Sequence, residues 1–427
     1  MPGTIAVDLT PVLVGGGNGG AKIFVFELLH YLAEIASQTR FVLLTHSASH
    51  AELAVLDSAN VRRVVVTGPE AGRSAASGLK SVGSRLRRRL PARLASVMTR
   101  IFRRLNTASK SAGRRMLLRD LGADLLFCPF TAPTYAEPGI PTVCTIHDLQ
   151  FDAYPEFFSP EDAAHRRQMF ADACRRASSL AAVSDYTRNA AIAVGKIDGS
   201  RIHTIHHRMA MRISPSLRDQ GNLLQRFALS PRKYFLYPAN FWKHKNHEML
   251  LTAFGIASRS GLAADMKLVC TGEPGARLDW LQRAAVTMSL DDRVVFPGFL
   301  PTAELATLLA NCAGVVFPSL YEGFGLPVLE AMAAGVPVAC ANTTALPEVV
   351  ADAAMLFDPR IPSEIAHAMT ALNEEALRAR LIQAGHRRAA QFSDARRMAG
   401  EYWQLFQDAS GIQRDDASTA AAARRRR

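Results

Sequence analysis

Short apolar runs alternate with amphipathic stretches of helical period along almost the whole chain, in two successive series. Strand-like runs fall at 4–10, 40–46, 61–68, 123–130, 141–148, 179–184 and 201–206 in the first series. The second places them at 233–239, 266–272, 293–299, 314–319, 337–342 and 354–359. Between them, segments such as NHEMLLTAFGIAS and TAELATLLANC repeat apolar residues every three or four positions. A strand that is apolar throughout has no face to offer water, so it belongs in a parallel sheet covered by helices on both sides. The chain therefore reads as α/β, with two Rossmann-like, doubly wound parallel sheets. Its 427 residues are also too many for one core. Periodicity lapses in RMAMRISPSLRDQGN, which divides the chain into domains at 1–210 and 211–392. A last helix is expected at 393–410, free to cross back to the first domain. The tail 411–427 lacks an apolar face and is expected to be disordered.

In open parallel sheets ligands bind beyond the carboxyl ends of the strands, so chemistry is expected in the loops there. The first such loop is VLVGGGNGGAK, where Gly15, Gly17 and Gly20 satisfy G-x-G-x-x-G. Strand, glycine turn and helix aim free amides at an anion. NAD would need an acid at the end of the second strand, but RFVLLTH closes on Thr45, His46 and Ser47. The loop suits a phosphate other than that of NAD, or is plain turn chemistry.

Composition narrows the setting. Hydrophobic residues make up 48% and charged residues 21%, as in ordinary globular proteins. The six cysteines are scattered without C-x-x-C, which reads as buried free thiols in a reducing compartment. No leader sequence is recognised and no apolar stretch approaches the roughly 20 residues of a membrane span. The net charge of +12 is concentrated: residues 71–119 carry fourteen Lys or Arg and no acid. Within them Leu86, Leu90, Leu94, Val97, Ile101 and Leu105 share one helical face, flanked by arginines and interrupted by Pro91. Such a stripe fits a helix lying on an anionic membrane. It equally fits an insertion packing on its own domain. Nucleic acid is disfavoured as a partner, because Phe102 is the segment's only aromatic.

The most informative stretch is FPSLYEGFGLPVLEAMAAGVPVA. A strand ends near Ser319, Gly323 and Gly325 shape a turn, and Pro327 sits in the first turn of a helix. Glu322 and Glu330 bracket that turn with seven residues between them. Two carboxylates beside anion-binding amides suit a ligand bearing both hydroxyls and phosphates, since charged acceptors bind hydroxyls at about 1.5–3 kcal/mol each. Glu330 alone could instead complement the helix dipole.

This stretch resembles the E-x7-E signature of the family-4 retaining glycosyltransferases, which share the two-domain GT-B fold. GGAKIFVFELLHYLA resembles that family's first glycine loop, TIHDLQFDAYPEFFS its His-Asp strand end and AVSDYTRNA its V-S-x-x-T-R turn. YPANFWKHKNHEMLLTAF resembles its Lys-Asn donor loop, and PANFWKHKNH is similar in style to bacterial surface-polysaccharide mannosyltransferases, including those of lipopolysaccharide. The resemblance implies a hexose moved from a nucleotide sugar, GDP-mannose first, to a lipid-linked or polysaccharide acceptor. The site would be the cytoplasmic face of the membrane, reached as a peripheral protein.

It also implies roles. Glu322 would hold donor-hexose hydroxyls, and Glu330 the ribose hydroxyls. The backbone of Phe324, Gly325 and Leu326 would contact sugar and phosphate. Lys245 would neutralise the leaving diphosphate, His147 would approach the donor sugar from the first domain, and Gly19 and Gly20 match the family's glycine pair. On the residues alone, His147 could equally serve by bonding backbone. Where the family often carries an Arg the chain has Ala239, so either Lys243 supplies the second charge or Lys245 acts with the helix dipole. No D-x-D occurs to clamp a sugar-nucleotide metal. Fixed cations and helix termini are expected to stabilise the leaving group, with no metal or other cofactor. A sugar-nucleotide epimerase of the same fold is the alternative.

Overall fold

The computed structural model describes residues 1–15, 18–68, 116–213 and 222–424. The first sheet is built from β1 (Thr4–Asp8), β2 (Arg40–His46), β3 (Val61–Thr67), β4 (Leu125–Cys128), β5 (Thr142–Ile146), β6 (Ser179–Ala182) and β7 (Ile202–Thr204). The second comprises β8 (Tyr234–Pro238), β9 (Lys267–Thr271), β10 (Val294–Gly298), β11 (Gly314–Phe317), β12 (Val338–Ala341) and β13 (Met355–Phe357). All pairings within both sheets are parallel, in the orders β3-β2-β1-β4-β5-β6-β7 and β10-β9-β8-β11-β12-β13. Every strand falls on an apolar run named above.

Burial on both faces explains this. Alternate residues of one strand serve opposite cores: Ile5 and Val7 pack into one and Ala6 into the other, as do Phe41 and Leu43 against Val42 and Leu44. That alternation is the pleat of a covered parallel sheet. All six cysteines are free and buried, and burial pushes the Cys174 thiol up to about 11 and that of Cys312 to about 12. They fill space as small apolar side chains.

The strand order reverses between β1 and β4 in one sheet and between β8 and β11 in the other. The glycine loop follows β1, the Lys-Asn loop follows β8 and the E-x7-E turn follows β11. Each therefore stands at or beside a switch point, where diverging connections leave a crevice.

The C-terminal helix, Ala395–Arg424, returns to the first domain. Tyr402 Oη lies 3.1 Å from Thr145 Oγ1, the rings of Phe127 and Phe406 are 5.0 Å apart, and Arg396 pairs with Glu34. This helix runs past residue 410, through positions expected to be disordered. Its end, STAAAAR, has no apolar stripe to bury, but alanine is the strongest intrinsic helix former, and backbone propensity does not need a core. The expected basic insertion lies outside the described residues except at its end. There the helical turn Leu117–Asp120 buries Leu118, whose amide donates to Glu137 Oε1 at 2.7 Å. No described helix is long and apolar enough to cross a membrane.

Candidate active site

A cleft of about 880 Å³ opens between the two sheets, and every candidate residue lines it: Gly19, Gly20, His147, Lys243, Lys245, Glu322, Phe324, Gly325, Leu326 and Glu330. The first wall is the glycine loop. Lys22, nearly buried, ties it down by donating to Leu13 O at 3.1 Å and Gly15 O at 2.9 Å while pairing with Glu52 at 2.5 Å. Gly19 takes φ 53°, and the helix Gly20–Ile35 begins without a side-chain cap. Its first amides are thus free for a ligand.

His147 follows β5. Its Nε2 donates to Pro129 O at 2.7 Å. Burial lowers its pKa, against the opposing pull of that carbonyl and Asp148. The ring is therefore neutral, with the proton on Nε2 and Nδ1 left as an acceptor. The backbone bond and the place in the cleft hold together. His207 was not legible as a site residue. It packs on Phe24 with rings 4.5 Å apart and on Phe324 at 5.1 Å, and lies 5.9 Å from His147. Burial, then its histidine neighbours, hold its pKa well below the ordinary value. Its buried Nδ1 has no hydrogen-bond partner among the described residues.

The second wall belongs to the other domain. Asn246 turns the Lys-Asn loop at φ 60° and donates to Pro318 O at 3.1 Å and Pro359 O at 2.8 Å, while Tyr237 Oη donates to Lys245 O at 2.7 Å. Burial drives His244 down to about 2 and His247 to about 3, helped by neighbouring cations. These two histidines are neutral, so Lys243 and Lys245 carry the loop's charge. Lys245 Nζ stands 2.5 Å from Glu322 Oε1, with both side chains nearly buried. Glu330, 3% exposed, is held at 2.7 Å by Arg212 Nε from the segment that crosses between domains. The helix Leu326–Ala333 starts at Gly325, φ 107°, again with no side-chain cap.

Arg166, Arg212 and Arg277 are cations that sequence reasoning missed; all three line the cleft, and Arg277 pairs with Glu248. None lies in a recognisable motif, and only folding brings Arg212 to Glu330. Lys243 and Ala239 line the cleft as well. Among the described residues one group has metal-ligand spacing, Asp185, His206 and Glu348. It sits at the domain junction, and Glu348 there already accepts the amides of Asp185 and Tyr186 at 2.8 and 2.9 Å and His206 Nε2 at 2.8 Å. Those partners account for the carboxylate without an ion.

Two family models match, "Glycosyltransferase Family 4" over residues 18–207 and "Glycosyl transferases group 1" over 222–388. O-antigen chain mannosyltransferase B of Escherichia coli is 31% identical over 253 residues, 59% of this chain and 66% of that protein. Serotype-specific mannosyltransferase WbdA of Escherichia coli is 30% identical over 267 residues, 59% of this chain. The chain spans just under two thirds of the first relative's length and about a third of the second's. Among solved structures, the glycosyltransferase WaaG superposes with a TM-score of 0.67 at 14% identity, covering 94% of this chain and 99% of that one. Anabaena HepE in complex with UDP-glucose also gives 0.67, at 18% identity over 95% of this chain and 99% of that one. With two facing parallel-sheet domains and both family models matched in order, the chain belongs to the family-4 glycosyltransferases of GT-B fold.

Proposed function

We propose that this enzyme is a retaining, metal-independent hexosyltransferase, moving mannose from GDP-mannose to a lipid-linked or polysaccharide acceptor at the cytoplasmic face of the membrane. One observation carries the reading: two carboxylates, each within 2.7 Å of a cation, stand in one cleft beside two uncapped helix N-termini. Neither pair is a useful stabilising device, since burying ions costs about what their attraction returns. For a ligand rich in hydroxyls and phosphate the arrangement is complementary. Glu322 and Glu330 accept hydroxyl protons of the hexose and the ribose. Lys245, released from Glu322, and the helix amides meet the diphosphate. The charge that grows on the leaving oxygen is then stabilised by groups already in place. The names of the relatives support mannose and an O-antigen type of acceptor, and give the epimerase alternative no support. The basic segment 71–119 supports an anionic membrane surface as a partner.

A thermal-shift panel of GDP, UDP, ADP and their sugars tests the donor, because a ligand of the native state raises its apparent stability. GDP and GDP-mannose are expected to raise the midpoint most. Transfer that EDTA abolishes and Mg²⁺ restores would refute the mechanism. For the membrane, flotation with anionic liposomes is expected, weakening with salt and lost in Leu94→Asp/Ile101→Asp; indifference to lipid charge would end that part of the proposal.

A further inference from the structure

The turn that carries Glu322 is gripped from the opposite domain. Gly323 follows Glu322, and its carbonyl accepts from Ser184 Oγ at 2.7 Å and from Thr187 Oγ1 at 3.1 Å. Both hydroxyl residues are fully buried, and Ser184 Oγ in turn accepts the Thr187 amide at 3.0 Å. Two hydroxyl protons thus converge on one carbonyl, and no group in the triangle lacks a partner. The contact is close at the backbone too: a Cβ at Gly323 would stand 1.7 Å from His147 O. Only glycine lets the turn of one domain touch the strand end of the other.

The segment 184–187 is held to the other domain a second time. Ser184 caps the helix Asp185–Gly195, and the Glu348 carboxylate, from the donor domain, bridges the Asp185 and Tyr186 amides at its start. His206 Nε2, also from the first domain, adds a 2.8 Å contact to that carboxylate. A carboxylate at a helix N-terminus meets unpaired donors and the positive end of the dipole. Here the helix and the carboxylate belong to different domains, so the stabilisation exists only while the cleft is closed.

We propose that Ser184, Thr187 and Glu348 are positioning residues that latch the domains together and thereby hold Glu322 beside His147. They touch no reacting atom; they act through the Gly323 turn. Opening the cleft would break the hydroxyl–carbonyl bonds and the Glu348 bridge together, so closure is a cooperative step. Its activity arm rests on the glycosyltransferase reading; its structural arm does not.

The test uses the full chain. Ser184→Ala/Thr187→Val removes both hydroxyl protons at nearly constant shape, Thr187→Ser keeps the hydroxyl, and Glu348→Gln keeps shape while dropping the charge. Small-angle scattering reads the radius of gyration, thermal shift reads nucleoside-diphosphate binding, and steady-state kinetics separate kcat from KM. The double variant and Glu348→Gln are expected to enlarge the radius of gyration and lower kcat about tenfold or more. Donor KM should change by less than about threefold. Thr187→Ser should stay close to the parent in both. Unchanged size and kcat in the double variant overturn the latch, and so does a loss that Thr187→Ser shares, since packing would then be the cause. Should the double variant fail to fold, Glu348→Gln decides by the same readouts, because that side chain is about a quarter exposed. A parent protein that transfers no sugar while its variants still open would sink the functional reading and leave the latch standing.

Discussion

At the scale of single residues, each of the two cleft carboxylates is paired with a cation. Lys245 spends its charge on Glu322, and Arg212 spends its own on Glu330. On the proposed function, a donor would exchange both pairs, taking the carboxylates with hydroxyls and the cations with phosphate. Glu322→Gln is therefore expected to lower kcat by about 10²–10³, while GDP still raises the thermal midpoint because Lys245 is set free. Lys245→Ala should lose that response. A folded Glu322→Gln enzyme with near-parental turnover would remove the residue from the site. Arg212→Met leaves Glu330 as a buried charge without its partner, a class of change that costs about 3–5 kcal/mol when burial is complete. Arg212 is itself about one-fifth exposed, so the loss should fall below that range. Donor KM should rise with the loss, with Arg212→Lys restoring part of both; an unmoved KM would assign Arg212 to folding alone.

At the scale of elements, loops at the switch points are made rigid by polar side chains that bind backbone. Lys22 fixes the glycine loop and Asn246 fixes the Lys-Asn loop. Asn246 does two things: it tolerates φ 60° and it satisfies two buried carbonyls. Replacing it separates them. Asn246→Gly keeps the backbone conformation and loses the bonds, at about 1–3 kcal/mol for each group left unsatisfied. Asn246→Ala adds a left-handed penalty of about 1–2 kcal/mol. Denaturant titration should rank parent above Gly above Ala, and equal stability of the two variants would show that the backbone conformation carries no strain.

For the whole molecule, buried neutral histidines make stability depend on pH. His244 and His247 sit near 2 and 3 when folded, against 6.5 as the ordinary value, and His147 and His207 shift in the same direction. Unfolding lets each take up a proton below about pH 6.5, so the unfolded state binds more protons there and stability falls with falling pH. Each fully buried histidine contributes a slope of about 1.4 kcal/mol per pH unit between its folded and unfolded values. The melting midpoint should be flat from pH 8 to roughly 7 and drop steeply towards pH 5. His244→Gln should shallow that drop; an unaltered slope would show that this ring is not held neutral by the fold.

What sequence alone determined follows from local physics. A short apolar run between turn residues suits an interior strand, and a glycine before a helix suits a turn with free amides, so the thirteen described strands and the three cleft loops were legible. Glu322 and Glu330 were legible because their spacing on one turn is itself local. The C-terminal helix beyond 410 was missed because the criterion was an apolar face, whereas alanine needs none. Tertiary structure alone decided the partners. Arg212 against Glu330, 118 positions apart, and Ser184 against Gly323, 139 apart, meet because the strand order reverses and the two sheets face each other. No periodicity records such a meeting: a hydrogen bond depends on distance in space, and the chain between two partners can take any length.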